Sequence, residues 1–158
     1  AQAQHMDDFL FNCSMIIMEH CGGASGPIWG SAFRAASKSI QGKETLTTAD
    51  FAAMLQDAVK GIQITGERSF GRGAVVGDKT LIDALVPCAD SWSANTNKSF
   101  KENFVLGAQA AVKGAESTKE VVARMGRAGI VGDRSLGHPD AGAHGLGVIF
   151  TDIAEHLK

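Results

Sequence analysis

At 158 residues, 44 % hydrophobic and 20 % charged, the chain is long enough for one domain with a real core and has the composition of an ordinary globular protein. A formal net charge of −2 gives no reason to expect nucleic acid or an acidic membrane surface as a partner. No apolar run approaches the ~20 residues of a membrane span; Met15 to Met18, for example, is only four residues long.

Tyrosine is absent, glycine and alanine are abundant, and Val, Ile and Thr do not alternate, which points to close-packed helices. Cys13, Cys21 and Cys88 show no metal-type pairing and no C-x-x-C, so they are expected as reduced thiols in a cytoplasmic setting. Residues 1–6, Ala-Gln-Ala-Gln-His-Met, look like a vector remnant. The rest, 7–158, reads as a single helical domain.

Residues 7–20 place Phe9, Leu10, Cys13, Ile16 and Ile17 on one face of an amphipathic helix. Then comes Cys21-Gly22-Gly23-Ala24-Ser25-Gly26-Pro27-Ile28-Trp29-Gly30. Small residues let a backbone approach a ligand, and Pro27 suits the first turn of a helix. Free N–H groups and the positive end of the macrodipole at such a start suit an anion. A phosphate cradle, with Ser25 as hydroxyl donor, is the functional reading; a tight turn between closely packed helices is the plain one.

A second helix over 27–40 carries Ile28, Ala32, Ala35, Ala36 and Ile40. Thr47 and Asp50 predict the capped start of a third, with Phe51, Met54, Leu55, Ala58, Val59 and Ile62 buried and Gly66 as its stop. Residues 69–79 form a glycine-rich loop. A fourth helix over 80–92 contains Pro87, which should kink or shift it. Residues 91–99 are read as an exposed linker. A fifth helix over 100–114 ends at Gly114, and a sixth spans 117–125. The 126–142 stretch, G-R-A-G-I-V-G-D-R-S-L-G-H-P-D-A-G, is too long and too particular for a simple connection. A last helix covers 143–157.

Some familiar chemistries fail on spacing. Ser25 lacks the strand and the second glycine of a G-x-S-x-G elbow, since Pro27 stands there. His138 and His144 have no third ligand at metal-site spacing. Asp78 reads as a turn residue and Asp83 as a surface or capping one.

Three segments in order carry a resemblance: Gly22-Gly23-Ala24-Ser25-Gly26-Pro27; Gly77-Asp78-Lys79-Thr80-Leu81-Ile82-Asp83; and Gly126-Arg127-Ala128 continuing through Asp133-Arg134-Ser135-Leu136-Gly137-His138-Pro139-Asp140-Ala141-Gly142-Ala143. The chain resembles, from residue 7 to its end, the nucleotide-binding L subunit or C-terminal domain of dihydroxyacetone kinases. The resemblance implies an all-α antiparallel barrel or bundle of about six to eight helices. It implies binding of ADP or ATP and phosphoryl transfer to dihydroxyacetone or a similar short ketose. The sugar would sit on a separate K-type subunit or domain, and the phosphate would come from ATP or from a phosphotransferase-system protein. A homodimer is a further expectation.

Carried over by position, Gly22, Gly23, Ala24, Ser25 and Gly26 would hold phosphates. Thr80 and Leu81 would line the adenine pocket, where the family usually has methionine in place of Leu81. Arg127 would reach the nucleotide, and Asp140, Ala141 and Gly142 would wall the adenosine. The family usually reads D-P-G there, whereas here proline precedes the aspartate as P-D-A-G. The family's acidic G-D-x-D-H-G loop, whose carboxylates hold two Mg²⁺ ions, has no counterpart in this sequence, so no metal ligand is named. The expectation is a domain truncated at its N-terminus and, alone, weak or inactive as a kinase, since metal ions supply much of the charge neutralisation in phosphoryl transfer. A non-catalytic helical assembly or regulatory partner with the same fold is the alternative.

Overall fold

The computed structural model describes residues 5–157, except for the side chain of Arg127; of the proposed remnant, residues 1–4 lie outside the described part. The described residues are all helix, turn and loop, with no strand among them. They fall into two compact units, one up to Gly73 and one from Ala74 onward.

The first unit is a three-helix meander: α1 (Met6–His20), α2 (Ser25–Ser39) and α3 (Thr48–Phe70), with α2 packed on both neighbours. Its core is Ala32, Ala36, Ile40, Ala52, Leu55, Ala58, Val59 and Ile62. The small side chains of α2 bring the backbones close: a Cβ on Gly61 of α3 would lie 2.7 Å from the Ser31 carbonyl. The Thr47 hydroxyl accepts the Asp50 N–H at 3.1 Å while the Asp50 carboxylate accepts the Thr47 N–H at 2.9 Å, the predicted capping box.

Two expectations change here. Helix α3 runs through Gly66 to Phe70 and stops at Gly71, whose φ of +80° makes the left-handed cap; a glycine inside a long packed helix is tolerated, so Gly66 alone was no stop. The predicted buried face of α1 is also displaced. Phe9 and Ile16 are each 58 % exposed, and Ser14 is the one fully buried residue of that helix. Apolar residues lie on several sides of α1, so periodicity could not select the stripe that meets α2.

The second unit holds α4 (Ile82–Ala94), α5 (Phe100–Ser117) and α6 (Ala141–His156), with α5 packed against both others. Trp92 is fully buried, its ring edge-on to Phe100 at 5.7 Å and Phe104 at 5.0 Å. Ile82, Leu85, Cys88, Phe104, Ala111, Leu146 and Phe150 complete the core. Burial pushes the Cys88 thiol up to about 12, which makes it an inert packing residue.

Pro87 lies inside α4, as anticipated, and cannot donate to the carbonyl of Asp83, four residues back. Gly114 of α5 sits against that carbonyl: a Cβ there would be 2.0 Å from it. This contact explains why α5 passes through Gly114 to Ser117 instead of stopping. The predicted sixth helix over 117–125 reduces to a 3₁₀ turn, Thr118–Glu120, followed by extended backbone at Val121. Helix α4 continues to Ala94, which leaves 95–99 as the linker. The 126–142 loop contains two 3₁₀ turns, Arg127–Ile130 and Gly132–Ser135.

Candidate functional site

The 22–26 loop joins α1 to α2. Residues 21–25 are exposed, and Gly26 is buried. Three glycines stand in it for three different reasons. Gly23 has φ +65°, a conformation that disfavours any side chain. Gly26 has no room, since a Cβ would meet the Cys21 carbonyl at 2.4 Å. Gly22 has neither constraint: φ is not positive, and nothing lies within 4 Å of where its Cβ would be. Folding therefore accounts for two of the glycines and leaves the third open to solvent.

Ala24 is the residue before the helix, and its side chain offers no cap. The first N–H groups of an α-helix have no partner inside it. Pro27 has no N–H, so the orphan donors at this start are concentrated on Ser25 and Gly26. That is a donor set suited to an anion.

In the second unit, Thr80 and Leu81 are held by buried charges. The Asp83 carboxylate, 2 % exposed, accepts the Gly77 N–H at 2.6 Å and the Thr80 N–H at 2.7 Å. Asp78, also 2 % exposed, accepts the Val75 N–H at 2.9 Å, and its carbonyl accepts the Arg124 N–H at 3.1 Å. Lys79 is 4 % exposed, and its ammonium donates to the carbonyls of Thr118 at 2.6 Å and His138 at 2.7 Å. The Thr118 hydroxyl accepts the Asp140 N–H at 2.8 Å.

Asp140 caps α6: its carboxylate accepts the Ala143 N–H at 2.8 Å. Burial pushes its pKa up, as does the charge of Asp83, against the pull of the backbone N–H groups of Ala143 and Gly142 and of the Lys79 charge. Gly142 lies under Leu81, with 3.1 Å between its Cβ position and the Leu81 Cβ. The structure thus brings Leu81, Asp140 and Gly142 together, with Thr80 next to Leu81 in the chain and Ala141 exposed between Asp140 and Gly142. The Arg127 backbone lies in a 3₁₀ turn, and its side chain lies outside the described part.

Sequence reasoning missed the residues that hold this arrangement. Asp83 was read as a surface or capping residue but is buried under the turn, and Lys79 and Thr118 were not singled out. Nothing local in the run Gly-Asp-Lys-Thr marks Lys79 as buried, because a loop lysine is ordinarily exposed and its partners here lie 39 and 59 residues further along the chain. His138 and His144 are both exposed. Among the described residues, no three His, Cys, Asp or Glu side chains group so as to hold a metal ion.

The model of the DAK2 domain matches residues 1–155. The chain belongs to the DAK2 domain family. It is similar to the ADP-binding subunit DhaL of the PEP-dependent dihydroxyacetone kinase of Escherichia coli, with 34 % identity over 136 residues, covering 85 % of this chain and 62 % of that protein. The corresponding subunit of kinase 2 of Listeria innocua is 32 % identical over 145 residues, covering 91 % of this chain and 64 % of that protein. An L-erythrulose 1-kinase of Mycolicibacterium smegmatis is 32 % identical over 136 residues, which is 86 % of this chain and 23 % of the enzyme. The chain therefore spans a little under two thirds of the subunit-type relatives and about a quarter of the longer kinase.

Proposed function

We propose that this DAK2 domain is the nucleotide-binding part of a short-ketose kinase. It holds ADP or ATP and presents phosphate to a ketose carried on a separate K-type subunit or domain. The observation that carries this reading is the pair of supports around Thr80 and Leu81: the buried Asp83 carboxylate accepts the Thr80 N–H, and the Lys79–Thr118–Asp140 link ties this turn to the start of α6, where Gly142 lies against Leu81. Thr80, Leu81, Asp140 and Gly142 are positions that the resemblance assigns to the adenosine, and the DhaL relatives are named as ADP-binding subunits.

In the first unit, the N–H groups of Ser25 and Gly26 serve as donors to phosphate, with the Ser25 hydroxyl added and with Gly22, Gly23 and Ala24 leaving the approach clear. In the second unit, Arg127 is assigned to the nucleotide by the resemblance, and its permanent charge suits phosphate. Each assignment is made within its own unit. The chemistry given to this chain is binding and orientation: phosphoryl transfer depends mainly on positioning and charge stabilisation.

Among the described residues no three His, Cys, Asp or Glu side chains group together, and no residue of this chain is assigned to Mg²⁺. Relatives named as erythrulose kinases and as dihydroxyacetone kinases support a short ketose as the acceptor. Names that include dependence on PEP or on the PTS favour a phosphoprotein of that system as phosphate donor. A homodimer and a cytoplasmic location belong to the same proposal; among the described residues, no helix is long and apolar enough to cross a membrane.

Calorimetric titration with ADP, with and without Mg²⁺, tests the reading. ADP binding supports it, and a strong gain with Mg²⁺ would add metal-holding carboxylates to the site. A chain that binds no ADP under either condition is a helical assembly partner, and the kinase reading falls.

A further inference from the structure

We propose that Lys79 and Thr118 are positioning residues that set the selectivity for the base: a buried clamp that fixes how Thr80 and Leu81 lie against Asp140, Ala141 and Gly142. The proposal rests on the nucleotide reading above. Three observations carry it.

Lys79 occupies backbone that side chains avoid, with φ +62°, the one non-glycine residue with positive φ among those described. Such a conformation persists only where its surroundings hold it. The ammonium is the holder: it is buried and bonded to carbonyls 39 and 59 residues further along the chain.

Thr118 extends the link. It is fully buried, its carbonyl accepts from Lys79, and its hydroxyl donates to the Ala115 carbonyl at 2.6 Å while accepting the Asp140 N–H. One continuous hydrogen-bonded path therefore runs from the residue before Thr80 to the cap of α6.

The third observation is the chemistry of the joint. Apolar contact could bring two loops together without burying a charge. A buried ammonium bears a large desolvation penalty and, in return, fixes direction as well as proximity through charge-assisted bonds. Directional fixing matters where one wall must meet a flat base. Gly142 already lies in tight contact with Leu81, so a small rotation of the Asp140-Ala141-Gly142 segment changes the surface that the pair presents.

The experiment uses the whole chain with Lys79→Met, which keeps length and removes the donors, and Thr118→Val, which keeps volume and removes the hydroxyl. Melting curves are recorded first, and then calorimetric titrations with ADP and with GDP. The wild-type chain is expected to prefer ADP. Either variant should bind ADP about tenfold more weakly, the order expected when a buried polar link is broken, with GDP changed by less than about twofold. A merely structural role reduces the folded fraction and moves both nucleotides in parallel, leaving their ratio unchanged; that result overturns the proposal, as does ADP binding within about twofold of wild type. If neither variant folds, the clamp is a support of the fold and the proposal fails. A wild-type chain that binds neither nucleotide overturns the reading beneath it instead.

Discussion

Ahead of α2 the chain turns on exposed small residues, with a glycine at positive φ, another pressed on the Cys21 carbonyl, and no side-chain cap. Ahead of α4 it turns on side chains that are almost fully buried, with Asp78, Lys79 and Asp83 each tied to backbone groups. Both are helix entries marked by glycine, and both resemble ligand-binding segments. The first is shaped by what is missing: donors stay free and the approach stays open. The second is shaped by satisfied polar groups, and its donors are consumed in holding the backbone still. An anion needs the first kind of surface, because free N–H groups are what bind it. A flat base, whose faces pack against apolar surface, needs the second, because its partners are rigid walls.

The comparison breaks most sharply at Asp83. Replacing it with alanine leaves the Gly77 and Thr80 N–H groups without their acceptor in a buried turn. The expected loss is about 3 kcal/mol of stability, at a cost of ~1–3 kcal/mol per unsatisfied buried group. Urea unfolding measures it, and a loss under about 1 kcal/mol would mean that the turn does not depend on buried charge.

The next effect is steric. Gly114→Ala drives a methyl group into the Asp83 carbonyl, 2.0 Å from its ideal position, with Pro87 Cγ at 3.2 Å. Overpacking of this kind costs about 2 kcal/mol, since α5 must move away from α4. The same unfolding measurement reads it. A neutral Gly114→Ala would show that Pro87 leaves the helix freer to shift than the contact implies.

A subtler contrast lies inside the open loop. Gly23→Ala should lose about 1 kcal/mol through its φ of +65°. Gly22→Ala should change stability by less than ~0.5 kcal/mol, because no atom opposes the new methyl group. Yet Gly22→Ala should weaken ADP binding if the open face of the loop meets phosphate. Unchanged affinity beside unchanged stability would remove Gly22 from the site.

These effects also mark what the sequence could tell. The all-α class followed from composition and three- and four-residue spacing, and the capped start of α3 followed from Thr47 and Asp50, because those signals are local. The 22–26 loop was legible for the same reason: glycines and Pro27 act on their own neighbours. Asp83 and Lys79 were not legible, because their partners depend on where α5 and the 126–142 loop pack. The end of α5 was misjudged on the same ground. Gly114 looks like a break in the chain, and only its contact with the Asp83 carbonyl reveals it as a packing residue. For α1, apolar residues on several sides left the buried stripe undetermined until α2 supplied the partner.

The smallest predicted effect separates the units by acid. In the first unit, the backbone N–H of Gly42 lowers Asp7, and Lys43 and Thr47 hold Asp50 well below the usual carboxylate range. Burial raises Asp57, but its bonds from Ser39 and Lys60 prevail and lower it. Carboxyls with lowered folded values add stability above their unfolded value, near pH ~4, and lose it as pH falls through the folded value. In the second unit, bonds from Ser99 lower Glu102, which acts in the same sense, but burial raises Asp140. A raised carboxyl has the opposite sign: stability is gained as pH falls through the folded value and is fully present below the unfolded one. All the shifted groups of the first unit thus pull one way, while those of the second oppose each other. Amide exchange from about pH 7 to about pH 3, corrected for intrinsic rates, should show protection falling in the first turns of α3 and holding at the start of α6, around Ala143. The N-cap bond itself sharpens the test, because Asp140→Asn keeps an acceptor for the Ala143 N–H and removes the titration. If the start of α6 loses protection as fast as α3, or if Asp140→Asn leaves its acid response unchanged, the buried carboxyl of Asp140 does not set the acid behaviour of that helix.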